Sequence, residues 1–194
     1  RLKCGVWRGS RLNTISLRRY IEGTAASLAL CITRHGVLLS RLQRQLIDLP
    51  YCKGLPVNGV FCGHSWGEGS WPAPVREGAR AQGLAVGEHL RNMGYRGILG
   101  IDFVIEGESG PVYPVEINPR FTGAFPMLSQ LHMATDLIPM DAFHMFEFLG
   151  TRYDTDCALL NAAYDEEVRG SHLLLFTLGS EKRISKVGLR GGLY

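Results

Sequence analysis

The chain has no uninterrupted apolar run approaching the ~18 residues that a membrane-spanning helix needs, so no such helix is expected. It also has no charged-then-apolar leader at its N-terminus, which removes the expectation of a secretory signal. Its five cysteines, Cys4, Cys31, Cys52, Cys62 and Cys157, are odd in number and form no C-x-x-C pair. Zinc spacing is therefore absent, a disulfide framework is not expected, and a reduced, cytoplasmic setting fits better. Blocks of like charge are missing too. The net charge is only +3, which gives no reason to expect a nucleic-acid surface. Internal repeats and low-complexity tracts do not occur. What is left is an ordinary globular composition, 45% hydrophobic and 20% charged over 194 residues, enough for one sizeable domain or two small ones. The chain starts at Arg1-Leu2-Lys3 without a Met, and the expectation is a fragment or one part of a longer protein.

The stretch that organises the chain is residues 97–120, GILGIDFVIEGESGPVYPVEINPR. Residues 100–105 are β-branched and apolar except for Asp102, and 106–110 carry turn residues. Residues 111–117 form the return strand, which Pro119 helps to end because it cannot donate a ladder hydrogen bond. Alternation places Glu116, Asn118 and Arg120 on one face, about 6.5–7 Å apart per two residues. If Ile105 pairs with Tyr113, Asp102 falls opposite Glu116 on that same face. A one-residue slip would separate them, so the pairing is an assumption. The product is two carboxylates, an amide oxygen and a guanidinium facing one space. Carboxylate and amide oxygens suit Mg²⁺ beside phosphates, and the guanidinium fork suits a phosphate or carboxylate. Two facing carboxylates raise one pKa unless a cation sits between them, so a pocket poorly organised without Mg²⁺ is expected. The spacing alone leaves a solvated surface hairpin as an equal alternative.

The order Asp102, then Glu116-Ile117-Asn118-Pro119-Arg120, resembles the ATP-grasp superfamily, whose strands carry an acid followed by E-x-N-x-R. The resemblance implies Asp102, Glu116 and Asn118 as metal ligands between nucleotide phosphates. It implies Arg120 as the catalytic residue that steadies a phosphate or acyl phosphate. Residues 17–23 are similar to the family's hinge, acid-[FY]-I-x-G, which joins two lobes and holds adenine through backbone groups. That implies nucleotide contacts at Arg19, Tyr20 and Ile21, although Arg19 stands where the family commonly has an acid. Residues 43–50 resemble a Q-x-[QV]-[LV]-[IV]-[DE]-x-P segment, which brings Gln45, and beside it Gln43 and Arg44, towards nucleotide or substrate. The string Phe61-Cys62-Gly63-His64 is similar to an F-C-G-[NH] element of peptide-bond-forming ligases, a substrate-side loop.

The remaining segments read as scaffold. Arg8-Gly9-Ser10 is a turn first and a phosphate loop second. Lys3 is a candidate phosphate ligand, with further phosphate-binding lysines expected before residue 1. Residues 17–23 and 25–33 read as strands, and 37–40 as the return of a hairpin. Residues 51–71 read as irregular. Cys62 and His64 would need an orienting group and an oxyanion hole to act as a nucleophile pair, and neither is visible. Residues 72–94 form a helix whose Ala79, Gly83, Val86, Leu90 and Met93 make one apolar stripe. Residues 121–124 form a small polar loop beside Arg120, and 126–133 and 139–149 are helices with His132 and His144 as satisfied helix histidines. Residues 150–167 are a linker or exposed helix. Residues 173–178 read as a buried strand, with 184–187 as its partner.

The expected fold class is α+β, an ATP-grasp fold of antiparallel β-sheets with packed helices, incomplete at its N-terminus. Residues 1–150 are the partial ATP-grasp domain lacking its N-terminal lobe, and 151–194 a small C-terminal β extension. The resemblance implies a ligase using ATP and Mg²⁺, with Mn²⁺ as an alternative ion. It would activate a carboxylate as an acyl phosphate for attack by an amine. The partners are small-molecule carboxylate and amine substrates, with no nucleic acid and no membrane. A homo-oligomer stays open, as does activity of this chain by itself. The rivals are a bicarbonate-using carboxylase or carbamoyl-phosphate type enzyme, and a non-catalytic nucleotide-binding remnant.

Overall fold

The computed structural model describes residues 17–54, 56–67 and 71–176, and the backbone of 6–7 and 10–11. Lys3, Arg8-Gly9 and residues 184–187 lie outside the described residues.

One ten-residue strand, β3 (Gly23–Ile32), anchors the sheet, and from Ala26 onward it is buried throughout. It pairs along its whole length with β7 (Gly97–Glu106). Its other edge is shared by β4 (Val37–Leu39) and β5 (Gln43–Ile47). Outward from β5 come β6 (Phe61–Trp66) and β9 (Gly170–Leu173), and outward from β7 comes β8 (Val112–Asn118). The order is β8-β7-β3-β5-β6-β9, with β4 beside β3, and every pairing is antiparallel. A separate ribbon joins β1 (Val6–Trp7) to β2 (Ser10–Arg11). Helices pack on this sheet, so the class is α+β.

Alternation decides what each face carries. On one face Ala26, Leu28, Leu30 and Ile32 meet Leu99, Ile101, Phe103 and Ile105 in one core, sealed by α2 (Ala73–Asn92). The helix lies close because Gly83 and Gly87 have no side chain. A Cβ on either would stand 2.7 Å from Leu39 or 2.6 Å from Val37. The opposite face buries Ala29, Cys31 and Ile98 under α3 (Phe125–Ala134), α4 (Met140–Leu149) and α5 (Cys157–Tyr164). That cover extends over only part of the face. Ser27, Asp102 and Gln45 stand where it is missing.

Several expectations change here. Residues 17–22 are not a strand. β3 begins at Gly23 because its ladder partner ends at Glu106, where the β7–β8 turn starts. The Ile105–Tyr113 pairing is replaced by Ile105 with Val112. The stripe of α2 holds at Ala79, Gly83, Val86 and Leu90 and adds Val75 and Gly87, while Met93 lies past the last turn and is exposed. Residues 51–71 are not irregular throughout, since they hold the short helix α1 (Pro50–Lys53) and all of β6. Residues 150–167 include α5, whose Asn161 accepts from the Leu39 amide and donates to the Val37 carbonyl. The last strand among the described residues is Gly170–Leu173, and residues 174–176 do not continue it as a buried strand. Leu173 to Phe176 lie exposed at the sheet edge, although Leu174 and Phe176 still donate backbone hydrogen bonds to Cys62 and Cys52. Residues 177–178 fall outside the described residues. His132 is buried against Tyr164 with both ring nitrogens unpaired among the described residues, so it is not a satisfied histidine. His144 does accept a hydrogen bond from the Ile98 amide. No described helix is long and apolar enough to cross a membrane.

Candidate functional site

The acidic hairpin reaches its final register through a bulge. From the turn, Ile105, Val104 and Phe103 pair with Val112, Tyr113 and Pro114. The ladder then shifts, and Asp102, Ile101 and Gly100 pair with Glu116, Ile117 and Asn118. Val115 is the extra residue. In an unbroken strand Val112, Pro114, Glu116 and Asn118 would share one face. The bulge splits that set. Val112 packs on the core under α2, while Glu116 and Asn118 face the open side with Asp102. Pro114, which has no N–H for the ladder, sits where the regular pairing breaks, and β8 is an edge strand.

Asp102 is half-buried and held by two amides. Gln45 Nε2 donates to Asp102 Oδ1 at 2.8 Å, and Asn118 Nδ2 donates to Oδ2 at 3.0 Å. Arg120 Nη2 donates to Asn118 Oδ1 at 3.2 Å, and its Nη1 donates to the Phe121 carbonyl at 3.1 Å. Glu116 is exposed and makes no side-chain hydrogen bond or ion pair among the described residues. Burial and the facing Glu116 push the Asp102 carboxyl above the usual carboxylate range, against the opposing pull of Gln45, Arg120 and Asn118. A cation between Asp102 and Glu116 would relieve both causes. The donor set of two carboxylates and one amide is the kind Mg²⁺ takes, so the residues present fit that ion.

These side chains line a cavity of about 460 Å³. Asp102, Glu116, Asn118 and Arg120 form one end with Gly100 and Thr122. Gly100 is needed there, because a Cβ would stand 2.6 Å from the Thr122 methyl and push the 121–124 loop away. Ser27 and Gln45 form the floor, and Ile47, Gly59, Phe61, His64 and Gly123 complete the walls. Gln43 shares the face and donates to Ser27 Oγ at 3.0 Å. Arg44 points the other way and stacks over Trp71, with its guanidinium carbon 4.6 Å from the ring centroid.

Of the residues singled out from the sequence, the fold therefore brings together Gln45, Asp102, Glu116, Asn118 and Arg120. Arg19, Tyr20 and Ile21 do not line this cavity. They precede β3 at the far end of the hairpin, where Arg19 approaches Glu106 at 3.7 Å. Cys62 is also outside. Its thiol is fully buried with Cys52 and Val60, and donates to the Val60 carbonyl at 3.4 Å. His64, two residues on, faces the cavity. Sequence reasoning placed His64 in an irregular loop, and the string Phe61-Cys62-Gly63-His64 was the signal that pointed to it.

Three comparisons bear on this arrangement. A family model described as an ATP-grasp domain matches residues 8–124. The butirosin acyl-carrier-protein–L-glutamate ligase of Niallia circulans is 35% identical over 96 residues, 48% of this chain and 20% of the ligase. This chain thus spans about a fifth of that relative's length. Among solved structures, the biotin carboxylase domain of Hydrogenobacter thermophilus 2-oxoglutarate carboxylase, a dimer with MgADP, ADP and bicarbonate, aligns with a TM-score of 0.53. The identity is 14%, over 78% of this chain and 29% of that one. The biotin carboxylase domain of a thermophilic 2-oxoglutarate carboxylase bound to bicarbonate aligns with a TM-score of 0.54 at 14% identity, over 79% and 30%. At such identities these two structures speak for the fold alone.

Proposed function

This chain belongs to the ATP-grasp family, and on that premise we propose that it is part of an ATP- and Mg²⁺-dependent ligase that activates a carboxylate as an acyl phosphate for attack by an amine. The observation that carries the reading is the facing pair Asp102 and Glu116, with Asn118 and Arg120 beside them on one cavity wall. Asp102, Glu116 and Asn118 would hold the metal ion, with Mn²⁺ as an alternative. Bound there, the ion supplies positive charge against the triphosphate. Asn118 also serves the nucleotide, and Gln45 keeps Asp102 turned into the cavity. Arg120 steadies the transferred phosphoryl group and the acyl phosphate as charge develops on their oxygens. The carboxylate oxygen bonds to the γ-phosphorus of ATP as the bond between that phosphorus and the β,γ-bridging oxygen breaks, and ADP leaves. The amine nitrogen then bonds to the acyl carbon, and phosphate leaves with the proton. Arg19, Tyr20 and Ile21 are proposed as backbone contacts to adenine, contributed from outside the cavity described above.

The amide-forming reading is preferred over the bicarbonate-using one because the 35%-identical relative is named as joining L-glutamate to an acyl-carrier protein. A carrier-bound substrate is therefore a candidate beside free small molecules. Residues 1–150 are proposed as the incomplete ATP-grasp unit and 151–194 as its C-terminal addition. Calorimetric titration of ADP, with and without Mg²⁺, tests the reading in the natural full-length protein. Metal-dependent binding that weakens in Glu116→Gln supports it. Unchanged Mg-ADP binding in that variant sinks the metal assignment.

A further inference from the structure

The cavity has a second end, whose chemistry the proposed reaction leaves unused. His64 stands on β6 directly opposite Gln45, on the face that carries Asp102, and its ring lines the cavity with Phe61 and Gly123. The residue is only 3% exposed. Its Nδ1 is enclosed and has no hydrogen-bond partner among the described residues. Folded proteins pair nearly all such atoms, so an unpaired imidazole at a cavity wall asks what completes it. Other rings crowd this end. Phe61 lies 4.8 Å from His64 by ring centroids, His172 of β9 lies 5.2 Å away, and Trp66 5.7 Å.

Charge is scarce here. Burial, and after it the neighbouring His172, hold the His64 imidazole down to about 3, so the ring is neutral at physiological pH. Burial lowers His172 as well. The charged residues of the cavity are Asp102, Glu116 and Arg120, all on or beyond β7. The backbones at Asp102 and His64 lie three strand steps apart, about 14 Å at ~4.8 Å each, and the side-chain amide of Gln45, the residue opposite His64, occupies Asp102 Oδ1. An ammonium seated against His64 would give up its water without meeting a carboxylate, and a carboxylate would meet no cation. An amide, carbonyl or hydroxyl faces no such loss and can pair with the imidazole.

We infer that this end seats an uncharged hydrogen-bonding group of the organic substrate, an amide, carbonyl or hydroxyl on an apolar frame, and that His64 is the specificity-determining residue that reads it. The inference rests on the proposed ligase reading only for the role of the bound molecule. The seat itself requires neither metal nor nucleotide. A substrate that reaches from Arg120 to His64 must also be elongated.

The test is binding of propionamide to the nucleotide-free protein, followed through the His64 ring resonance by NMR. Propionate and propylammonium serve as charged matches of the same length. Propionamide should give a saturable shift, at least tenfold stronger in affinity than either ion. Saturation-transfer NMR on the ligand should show that binding lost in His64→Phe and kept within about threefold in His64→Gln, which retains a neutral hydrogen-bonding side chain. No shift with propionamide, equal binding of the ions, or undiminished binding in a folded His64→Phe variant would overturn the inference. Mg-ADP is titrated in parallel. A protein that binds propionamide but not Mg-ADP keeps this inference and loses the proposed function.

Discussion

The two faces of β3 and β7 come from the same twenty residues and behave as opposites. Towards α2, alternate positions from Ala26 to Ile32 and from Leu99 to Ile105 are aliphatic or aromatic and fully enclosed. Towards the other side the same strands place Ala29, Cys31 and Ile98 under helices, then Ser27 and Asp102 beyond the helical cover. The covered face is held by burial, which is tolerant of detail. The open part is held by hydrogen bonds whose partners come from β5 and β8. One face therefore responds to volume and the other to identity.

The largest effect should come from the covered face. Phe103→Ala removes a fully buried ring from the core and should cost about 3–5 kcal/mol, read by chemical denaturation. A smaller loss would mean that the α2 side collapses around the gap more readily than its packing implies. On the open face, Glu116→Gln should leave stability nearly untouched while Mg-ADP affinity falls roughly 10- to 100-fold in calorimetry. Asp102→Asn sharpens the contrast. It removes a carboxyl destabilised by burial and by Glu116, so the metal-free protein should melt at a higher temperature even as metal-dependent binding is lost. A lower melting temperature would show that Asp102 is favourably placed without a cation.

Acid should act mainly through the buried imidazoles. Burial holds His132 down to about 4 and His64 to about 3, against an unfolded value near 6.5. Both are neutral in the folded protein, so their contribution is complete above about pH 6.5. It is lost as the pH falls from there through about 4 and then about 3. Denaturation midpoints measured from pH 7 to 4 should decline, and His132→Phe should flatten that decline. The smallest effect is expected for deletion of Val115. The ladder then runs unbroken, with Glu116 still opposite Asp102, and Mg-ADP affinity should stay within about threefold. A large loss would mean that the bend of the bulge, and not only the facing of the two acids, shapes the site.

How far the sequence speaks depends on the same division. The helix of residues 72–94, the hairpin of β3 and β4, and the meeting of Asp102 with Glu116 follow from periodicity and motif. Asp102 met Glu116 through a different pairing from the one assumed, because a bulge absorbs one residue. Pro114 was the available sign of it. β6 escaped because Gly63, at φ 134°, and the ladder shift at Leu46–Ile47 break the alternation that marks a strand. With β6 hidden, nothing in the sequence could place His64 beside Gln45. The apolar run 173–176 misled in the opposite sense. Its hydrophobicity suggested burial, whereas the polar Gly170–Leu173 pairs with β6.

The candidate site draws Ser27, Gln45, His64, Asp102 and Glu116 from five different strands, running across the sheet rather than along it. No hairpin by itself contains it, and no local opening of one strand leaves it intact. A ligand bound there recognises only the completed sheet, so its binding free energy adds to the stability of the whole domain, growing as RT ln(1 + [L]/Kd). Hydrogen exchange of the slowest amides at the Leu30–Ile32 end of β3, away from Ser27 and the cavity lining, should then report occupancy as faithfully as the site residues do.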